Sequence, residues 1–494
     1  MILALYVEPQ ELYKHLHELI RLSFPDYEIR LSCLNSADIN MEIRRSESGD
    51  RVFFTASLKT AQLLTQASQE YQLDSDESLR SKQLARFARI FIYHRLCQHT
   101  GKNINPYGIL TGVRPLKLVH QWLDQGNSIK QVLARLENDY LVEAGKARRL
   151  ADVALNNRPY LHSRQEARRK ISLYIGIPFC PSRCYYCSFP GAILNNYELE
   201  IEPFLVALKR EIEGLGECIK QLHLEVENIY WGGGTPSILK EDDLESLFQL
   251  LKEQYISTAT GEITMEAGRP DTLSRDKLQL LKGLGVNRVC INPQTMQAAT
   301  LKRIGRQHSL DDIYNAVQWV RDAGIENLNM DMIIGLPGEG LAEYKSSTQQ
   351  ILALRPENIT VHSLAVKKGS RLDQMEGKSQ LGYRVGEVKS GIQQIDEILT
   401  ENAYLPYYLY RQKYMKANVE NTGYSLADHF CNYNIQVMEE RQTIIGLGGA
   451  ASSKFVNAAD WHLTNLHNPK EPNAYCQRLP DLLARKVDKL KALN

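Results

Sequence analysis

The sequence predicts an α/β protein with a parallel β-sheet, and two observations carry that prediction. Between Ile171 and Val366, short apolar or β-branched runs alternate with longer stretches of helical periodicity. The six runs are ISLYIGI, VENIYWG, GEITMEAG, NRVCINPQ, ENLNMDMIIG and NITVHSL. Strands that alternate with helices form βαβ units, so we expect either an open parallel sheet or a barrel.

The stretches between the runs are the second observation. YELEIEPFLVALKREIEGL and LDDIYNAVQWVRDAG repeat apolar residues at helical spacing, and Gly324 closes the second as a C-cap. In parallel sheets and barrels, ligands collect at the carboxyl ends of the strands. Motifs that directly follow a predicted strand are therefore the candidates for a functional site.

The sheet is expected to occupy the middle of a multidomain chain, because 494 residues exceed one ordinary core. We predict an N-terminal α+β domain of unknown role at residues 1–165, ending in the polar stretch HSRQEARRK. The barrel or sheet follows at residues 166–370. A smaller C-terminal domain, at residues 371–494, ends in a charged helical stretch.

Composition and charge indicate a soluble globular protein, with 43% hydrophobic residues, 24% charged residues and a formal net charge of +1. That balance gives no reason to expect binding to nucleic acid or to an anionic membrane. Glu8 and Glu11 interrupt the apolar start, and the run at residues 87–96 is too short and too charged to span a bilayer. We expect a cytoplasmic protein.

Three of the nine cysteines fall within eight residues, in ISLYIGIPFCPSRCYYCSFP just after the first strand. Cys180, Cys184 and Cys187 follow a C-x3-C-x2-C spacing. Three thiolates can hold a [4Fe-4S] cluster and leave its fourth iron free to chelate the amino and carboxylate groups of a small molecule. A structural zinc site would need a fourth ligand, and a C-x2-C redox pair would leave Cys180 unexplained.

A run of glycines, Gly232 to Gly234, followed by Thr235, ends the second strand in NIYWGGGTPS. Consecutive glycines let the main chain approach a ligand and offer it bare N–H and C=O groups. Alone, such a run is usually a turn. At the strand end next to the cysteine loop, it indicates a binding site.

The cysteine loop resembles that of radical S-adenosylmethionine (SAM) enzymes. Its surroundings, from about Ile171 to Lys454, resemble the oxygen-independent coproporphyrinogen III oxidase group. With GILTGVRPLK at residues 108–117, the resemblance to the HemZ-type coproporphyrinogen dehydrogenases covers nearly the whole chain. It implies a partial (β/α)6 radical SAM barrel with extra N- and C-terminal domains, a [4Fe-4S] cluster on the three cysteines, and SAM.

The resemblance also implies which residues hold SAM, position by position. Tyr186 matches an aromatic that packs on the adenine, and the glycine segment matches one that grips the methionyl part. Glu266 offers a carboxylate for the cationic end or the ribose. The implied SAM contacts are Tyr174, Tyr186, Gly233, Gly234, Thr235, Glu266, Gln294, Arg306, Asp331, Ile333 and Ala365.

The implied reaction is the oxidative decarboxylation of two propionates of coproporphyrinogen III to vinyl groups, giving protoporphyrinogen IX. It needs a tetrapyrrole substrate and a reductant such as flavodoxin or ferredoxin. The substrate's carboxylates call for cations; Arg183, Arg306 and Lys367 or Lys368 are candidates by position. The stretch YLPYYLYRQKY, residues 404–414, is consistent with stacking on a tetrapyrrole or with packing in the core.

Three alternatives remain open. The first is a haem chaperone, whose hallmark is His-Asn-x-x-Tyr-Trp; here the one His-Asn pair, His467-Asn468, is followed by Pro-Lys-Glu-Pro. The second is a radical SAM enzyme that opens or methylates haem. The third is a structural or RNA-binding role for residues 1–165. In addition, Phe189 stands where the well-studied oxidases have a fourth cysteine.

Overall fold

The computed structural model describes residues 1–24, 27–31, 37–61, 63–187, 191–365, 372, 385–411 and 419–493. They form two compact units, Met1–Ala154 and Leu155–Asn494. Phe189, Lys367, Lys368 and the last three residues of the tyrosine-rich stretch lie outside the described residues. Within the described part, no helix has the length and apolar character needed to cross a membrane.

The first unit packs helices on a mixed five-stranded sheet with the order β2-β1-β3-β4-β5. The strands are β1 (Ile2–Glu8), β2 (Glu28–Arg30), β3 (Ile39–Ser48), β4 (Arg51–Thr60) and β5 (Leu64–Gln72). The helices are α1 (Tyr13–Ser23), α2 (Glu77–Thr100), α3 (Leu116–Asp124) and α4 (Ile129–Ala134). A further helix, α5 (Ala144–Asn157), begins in this unit and ends just past its last residue, Ala154. Apolar side chains of β1, β3, β4, α1 and α2 form its core.

The motif at residues 108–117 begins inside this first unit. Gly108 has a φ of +56°, and a Cβ there would lie 2.0 Å from the carbonyl oxygen of Tyr140. Ile109 is fully buried, and its amide donates to that same carbonyl at 2.9 Å. Only glycine fits so close a backbone approach, so the start of this motif serves the packing of the first unit.

The second unit contains an eleven-stranded sheet with the order β14-β15-β13-β12-β11-β10-β9-β6-β16-β17-β18, and a small β7-β8 pair. Its strands are β6 (Lys170–Ile177), β7 (Phe179–Cys180), β8 (Ala192–Ile193), β9 (Glu225–Gly233), β10 (Glu262–Glu266), β11 (Arg288–Gln294), β12 (Asn327–Ile334), β13 (Asn358–Ser363), β14 (Leu405–Arg411), β15 (Glu420–Ser425), β16 (Thr443–Gly448), β17 (Ser452–Val456) and β18 (Leu463–His467).

Most helices of this unit connect its strands. Its helices are α6 (Arg164–Ala167), α7 (Tyr197–Gln221), α8 (Glu241–Gln254), α9 (Arg275–Gly283), α10 (Ala298–Arg303), α11 (Leu310–Asp322), α12 (Leu341–Ala353), α13 (Val385–Glu401), α14 (Asn432–Glu439) and α15 (Pro472–Lys491). Helix α6 precedes the first strand, and α15 follows the last. After α11, Gly324 adopts a φ of +71°, the left-handed conformation expected just past a helix end.

All six predicted runs form parallel strands, β6 and β9 to β13, in sequence order across the sheet. The predicted α/β fold with a partial (β/α)6 barrel is therefore confirmed. The parallel part of the sheet has one strand more than predicted: β16 pairs in parallel with β6 and adds a seventh parallel strand from the C-terminal part. The antiparallel strands β14, β15, β17 and β18 of the same sheet were not predicted either. The three-part division at residues 165 and 370 stays a prediction.

The start of α14 covers the amino end of β10. The amides of Asn432 and Tyr433 donate to the Glu262 carboxylate at 3.0 and 3.2 Å, and Arg288 approaches it at 3.5 Å. Negative charge at a helix N-terminus is favourable because the first amides have no partner in the helix. This contact holds the Tyr433 ring beside the tyrosines of the sheet.

Candidate active site

All fourteen residues predicted to hold the cluster or SAM line one cavity of about 400 Å³. They come from the cysteine loop, the carboxyl ends of β9 to β12, the inner face of β6 and the segments after α10 and β13. The set is Tyr174, Cys180, Cys184, Tyr186, Cys187, Gly233, Gly234, Thr235, Glu266, Gln294, Arg306, Asp331, Ile333 and Ala365. Their separate roles remain predictions.

The cysteine loop is more regular than a bare loop. Cys180 ends β7, which pairs in parallel with β8 so that Cys180 faces Ile193. Farther on, the Tyr185 amide donates to the Ile304 carbonyl at 2.9 Å, and the Cys187 amide donates to the Cys184 carbonyl at 3.1 Å. These backbone bonds fix the three thiols along one side of the cavity.

Glycines bring β9 against this loop. The amides of Gly234 and Thr235 donate to the carbonyls of Ile177 and Phe179, both at 2.8 Å. A Cβ at Gly234 would lie 2.4 Å from the Phe179 oxygen and 3.0 Å from the Cys180 sulfur. Only glycine leaves that space open. The hydroxyl of Thr235 then reaches the Cys180 sulfur at 3.5 Å.

Arg269 holds the loop from the end of β10, and sequence reasoning missed it. Its guanidinium donates to the carbonyl and hydroxyl of Ser182 at 3.1 and 2.7 Å. It also pairs with both oxygens of Asp271, at 3.1 and 2.9 Å. Because the planar guanidinium of Arg269 binds both residues at once, it fixes the orientation of the cysteine loop. Its place in GRPD, right after a predicted strand end, was the available signal.

An apolar wall with one cation forms another side of the cavity. Tyr186 packs with Ile333 and Leu364 in a small hydrophobic cluster. Its hydroxyl accepts a hydrogen bond from Arg306 at 3.0 Å, and Arg306 also donates to the Gly268 carbonyl at 2.9 Å. The Arg306 Nε is buried without a hydrogen-bond partner. This wall suits a flat, largely apolar ring.

The inner end of the cavity is a carboxylate on a stack of tyrosines. The Tyr230 hydroxyl donates to Glu266 at 2.6 Å. Tyr230 stacks on Tyr433 at 4.4 Å between ring centroids and on Tyr174 at 6.1 Å. Burial, with the nearby charge of Asp331, raises the pKa of Glu266 to about 7. Glu266 therefore titrates near neutrality, and a cationic ligand group would favour its ionised form.

Gln294 carries backbone strain at the end of β11. Its φ is +69°, and the β11–β12 register shifts between Ile291 and Gln294. A left-handed conformation is uncommon outside glycine and is found preferentially at functional sites. The Gln294 Oε1 and the nearby Asn292 Oδ1 are buried without hydrogen-bond partners. Two unpaired acceptors on the cavity wall favour a ligand that brings donors.

Asp331 faces the cavity with its carboxylate held on both sides. Asn329 donates to one oxygen at 2.7 Å, and His362 Nε2 lies 3.6 Å from the other. Burial works to raise the pKa of Asp331, but these partners, His362 foremost, outweigh it and lower the pKa below its usual value. The carboxylate is therefore ionised at neutral pH.

The residues predicted to contact the substrate do not all lie in the cavity. Arg183 is exposed and lines the cavity. Tyr404, Tyr407 and Tyr408 of the tyrosine-rich stretch are buried in the protein core, and none of them is among the cavity's lining residues. This part of the stretch therefore packs in the core and does not offer a stacking surface in the cavity.

The donor set fits a cluster with SAM. Among the described residues, no three His, Cys, Asp or Glu side chains converge on a single metal ion. In a [4Fe-4S] cluster each thiolate binds a different iron, so the thiols stand around a larger group. Here three thiols share one cavity wall with a glycine segment, and unpaired acceptors and carboxylates lie on other parts of the lining.

Comparisons with known proteins bear on the same residues. The radical SAM superfamily matches residues 174–351. The oxygen-independent coproporphyrinogen-III oxidase-like protein HemZ of Bacillus subtilis (strain 168) is 34% identical over 488 residues, which cover 99% of this chain and 97% of HemZ. The heme chaperone HemW of the same organism is 36% identical over 200 residues, 40% of this chain and 51% of HemW.

A solved structure shares the fold. The coproporphyrinogen III oxidase HemN from Escherichia coli superposes with a TM-score of 0.53 at 21% identity, covering 66% of this chain and 72% of HemN. The barrel and its cysteine loop define the class: the chain belongs to the radical SAM superfamily, whose cofactors are a [4Fe-4S] cluster and SAM. Within that superfamily it belongs to the family of the HemZ-like proteins.

Proposed function

We propose that the chain removes carbon dioxide oxidatively from the propionate side chains of coproporphyrinogen III and leaves vinyl groups. The observation that carries the proposal is the 34% identity to HemZ along almost the whole chain. The cavity supports it, because three thiols and the candidate SAM residues share one lining. A bound, reduced cluster with SAM supplies a 5′-deoxyadenosyl radical that removes one hydrogen atom from the substrate.

The atoms and the electron that leave the substrate determine what the protein must do. A propionate, –CH2–CH2–COO⁻, loses one hydrogen atom, then carbon dioxide and one electron to an external one-electron acceptor, leaving –CH=CH2. The protein must orient one C–H bond and exclude water. In this proposal the apolar wall around Tyr186, Ile333 and Leu364 serves to exclude water. Under the same proposal Arg183, which is exposed and lines the cavity, pairs with a substrate carboxylate.

The test is an anaerobic assay of the reconstituted protein with SAM, dithionite and one tetrapyrrole at a time. With coproporphyrinogen III, we expect 5′-deoxyadenosine and carbon dioxide in equal amounts. Deoxyadenosine that forms only with haem would instead indicate a radical SAM enzyme acting on haem. Tight stoichiometric haem binding without turnover would contradict catalysis and favour a chaperone.

A matched pair of variants sharpens this assay. Arg183→Gln should raise the KM for coproporphyrinogen about tenfold and leave SAM binding unchanged, because it removes one charged contact. Arg210→Gln, on the exposed side of α7, is the control and should behave as wild type. Equal KM values for the two variants would remove Arg183 from the substrate site.

The chaperone is the second candidate, and the local identity to HemW favours it. Against it stands the segment at His467-Asn468. His467 is exposed on β18, and the Asn468 amide group donates to the Gly448 carbonyl at 2.7 Å. Asn468 thus serves the packing of the C-terminal strands. Haem titration of the same preparation separates the two functions.

A further inference from the structure

His362 is the last residue but one of β13 and lies on the wall of the cavity, and neither the sequence pattern nor the family motifs single it out. Its ring lies between two groups of opposite hydrogen-bonding character. Nε2 is 3.6 Å from the Asp331 carboxylate, and Nδ1 is 3.4 Å from the hydroxyl of Tyr410. A carboxylate only accepts, so Nε2 carries the proton and Nδ1 accepts from the tyrosine.

The neighbouring acidic group explains why the Asp331 carboxylate needs a hydrogen-bonding partner. Glu266 and Asp331 are two acidic groups in one cavity, and the charge of Asp331 raises the pKa of Glu266. Two carboxylates that share a site resist joint ionisation. His362 lies against one of them: its Nε2 faces the Asp331 carboxylate at 3.6 Å, and this contact lowers the pKa of Asp331. Removing the imidazole would leave this pair less compensated.

The tyrosine-rich strand supplies the other half of the arrangement. Tyr410 belongs to β14, which pairs with β15, and its ring stacks on that of Tyr408 at 6.5 Å with an interplanar angle of 9°. The Tyr408 hydroxyl in turn donates to Thr360 on β13 at 3.2 Å. The strand thus holds Tyr410 behind the imidazole, on the side away from Asp331.

We propose that His362, held by the hydroxyl of Tyr410, positions the Asp331 carboxylate for bound SAM. This gives the tyrosine-rich stretch a task in the site although none of its described residues lines the cavity. The inference rests on the proposed role of Asp331 as a SAM contact. The present separations are long for hydrogen bonds, and such bonds commonly shorten when the ligand is in place.

The experiment measures the dissociation constant of SAM by calorimetry on the cluster-reconstituted full chain, without tetrapyrrole. His362→Phe should weaken SAM binding about tenfold, the cost of losing one hydrogen bond to a charged group. His362→Gln, which keeps a donor, should restore most of that loss. Tyr410→Phe should weaken binding about threefold, because the ring then loses one of its two restraints.

The decisive arm is the double variant His362→Phe/Tyr410→Phe. If Tyr410 acts through His362, the double variant binds SAM no more weakly than His362→Phe alone. Additive losses would overturn the proposed chain of contacts. Tyr404→Phe, which removes a buried hydroxyl bonded to Pro356, and His467→Gln, on exposed β18, are the controls and should leave SAM affinity unchanged.

The variant Asp331→Asn distinguishes a failure of the proposed role of His362 from a failure of the proposed role of Asp331. If Asp331→Asn weakens SAM binding and His362→Phe does not, His362 is not a positioning residue. If neither changes it, the assignment of Asp331 as a SAM contact fails first. Cluster absorbance and Tm are recorded for every variant, and His362→Gln carries the test if His362→Phe does not fold.

Discussion

The Tyr230 hydroxyl donates a 2.6 Å hydrogen bond to the Glu266 carboxyl at the inner end of the cavity. This tyrosine stacks on Tyr433, which α14 brings from the C-terminal part of the chain, about 200 residues away. The pair keeps a carboxyl group in a mostly aromatic environment, where burial raises its pKa to about 7. A carboxyl group that titrates near pH 7 makes both the stability of the protein and its ligand affinity depend on pH.

Glu266→Gln should stabilise the SAM-free protein at pH 8 and leave its stability near wild type at pH 4.5. The wild-type carboxyl keeps its proton up to about pH 7 in the folded state and only to about pH 4.5 in the unfolded state. Stability is therefore lost as pH rises through that window. Unfolding free energies should differ by on the order of 1 to 3 kcal/mol at pH 8, measured by denaturant titration.

The same variant should weaken SAM binding, because it removes a carboxylate that a cationic ligand group would contact. In wild type, SAM affinity should fall about tenfold for each pH unit below 7, as the carboxyl takes up its proton. A flat affinity profile from pH 6 to 8 would contradict this role of Glu266.

Arg269→Lys should loosen the cysteine loop. Lysine cannot serve Ser182 and both oxygens of Asp271 at once, so the loop loses a restraint beside Cys180 and Cys184. We expect a chelator to remove the reconstituted cluster about tenfold faster than in wild type. The rate is measured as the loss of the cluster's visible absorbance. Arg275→Lys, at an exposed ion pair with Asp322, is the control. Equal rates would show that Arg269 does not support the loop.

Gly234→Ala should prevent normal assembly of the cluster site. The added methyl would meet the Phe179 carbonyl at 2.4 Å, and backbone atoms cannot move aside as a flexible side chain can. Iron content after reconstitution should drop to a small fraction of wild type. Gly283→Ala, where nothing lies within 4 Å, should reconstitute fully. Full iron content in Gly234→Ala would contradict the close approach of β9.

Lys486→Met should destabilise the C-terminal part of the second unit. Lys486 and Glu211 form a fully buried pair at 2.5 Å that joins α15 to α7, and Tyr475 donates to the same carboxylate at 2.7 Å. Removing one partner leaves a buried charge, at a cost of about 3 to 5 kcal/mol. Tm should fall by about 5 °C or more.

Two further variants check that reason. Lys491→Met, exposed at the end of the same helix, should leave Tm within about 1 °C of wild type. The double variant Glu211→Leu/Lys486→Met should recover part of the loss, because it leaves no unpaired charge. A single variant as stable as wild type would mean that the pair does not anchor α15.

Local pattern predicts the parts of the site that follow strands. The six strands and the cysteine loop depend on runs and a spacing that a single sequence displays. The individual SAM contacts, from Tyr174 to Ala365, follow instead from the resemblance to radical SAM enzymes, and their roles stay predictions. The fold class, the superfamily and the two cofactors could therefore be predicted. Strand β16 also had a signal, the run TIIGLG, in a stretch that otherwise lacks regularity.

Long-range packing accounts for what the sequence did not reveal. Tyr433 joins the tyrosine stack where the Glu262 carboxylate caps the start of α14, and the proposed role of His362 depends on its place between Tyr410 and Asp331. Neither contact corresponds to a sequence spacing from which it could be predicted. The tyrosine-rich stretch shows the same limit, since its composition suited both stacking and core packing.

The most direct test of the proposed reaction is the fate of one hydrogen atom. Coproporphyrinogen III that carries deuterium on the propionate carbon next to the ring is incubated anaerobically with the reconstituted protein, SAM and dithionite. The account predicts one deuterium in each 5′-deoxyadenosine, measured by mass spectrometry, with one carbon dioxide released. Deoxyadenosine without deuterium, while carbon dioxide is still released, would contradict hydrogen abstraction from the propionate.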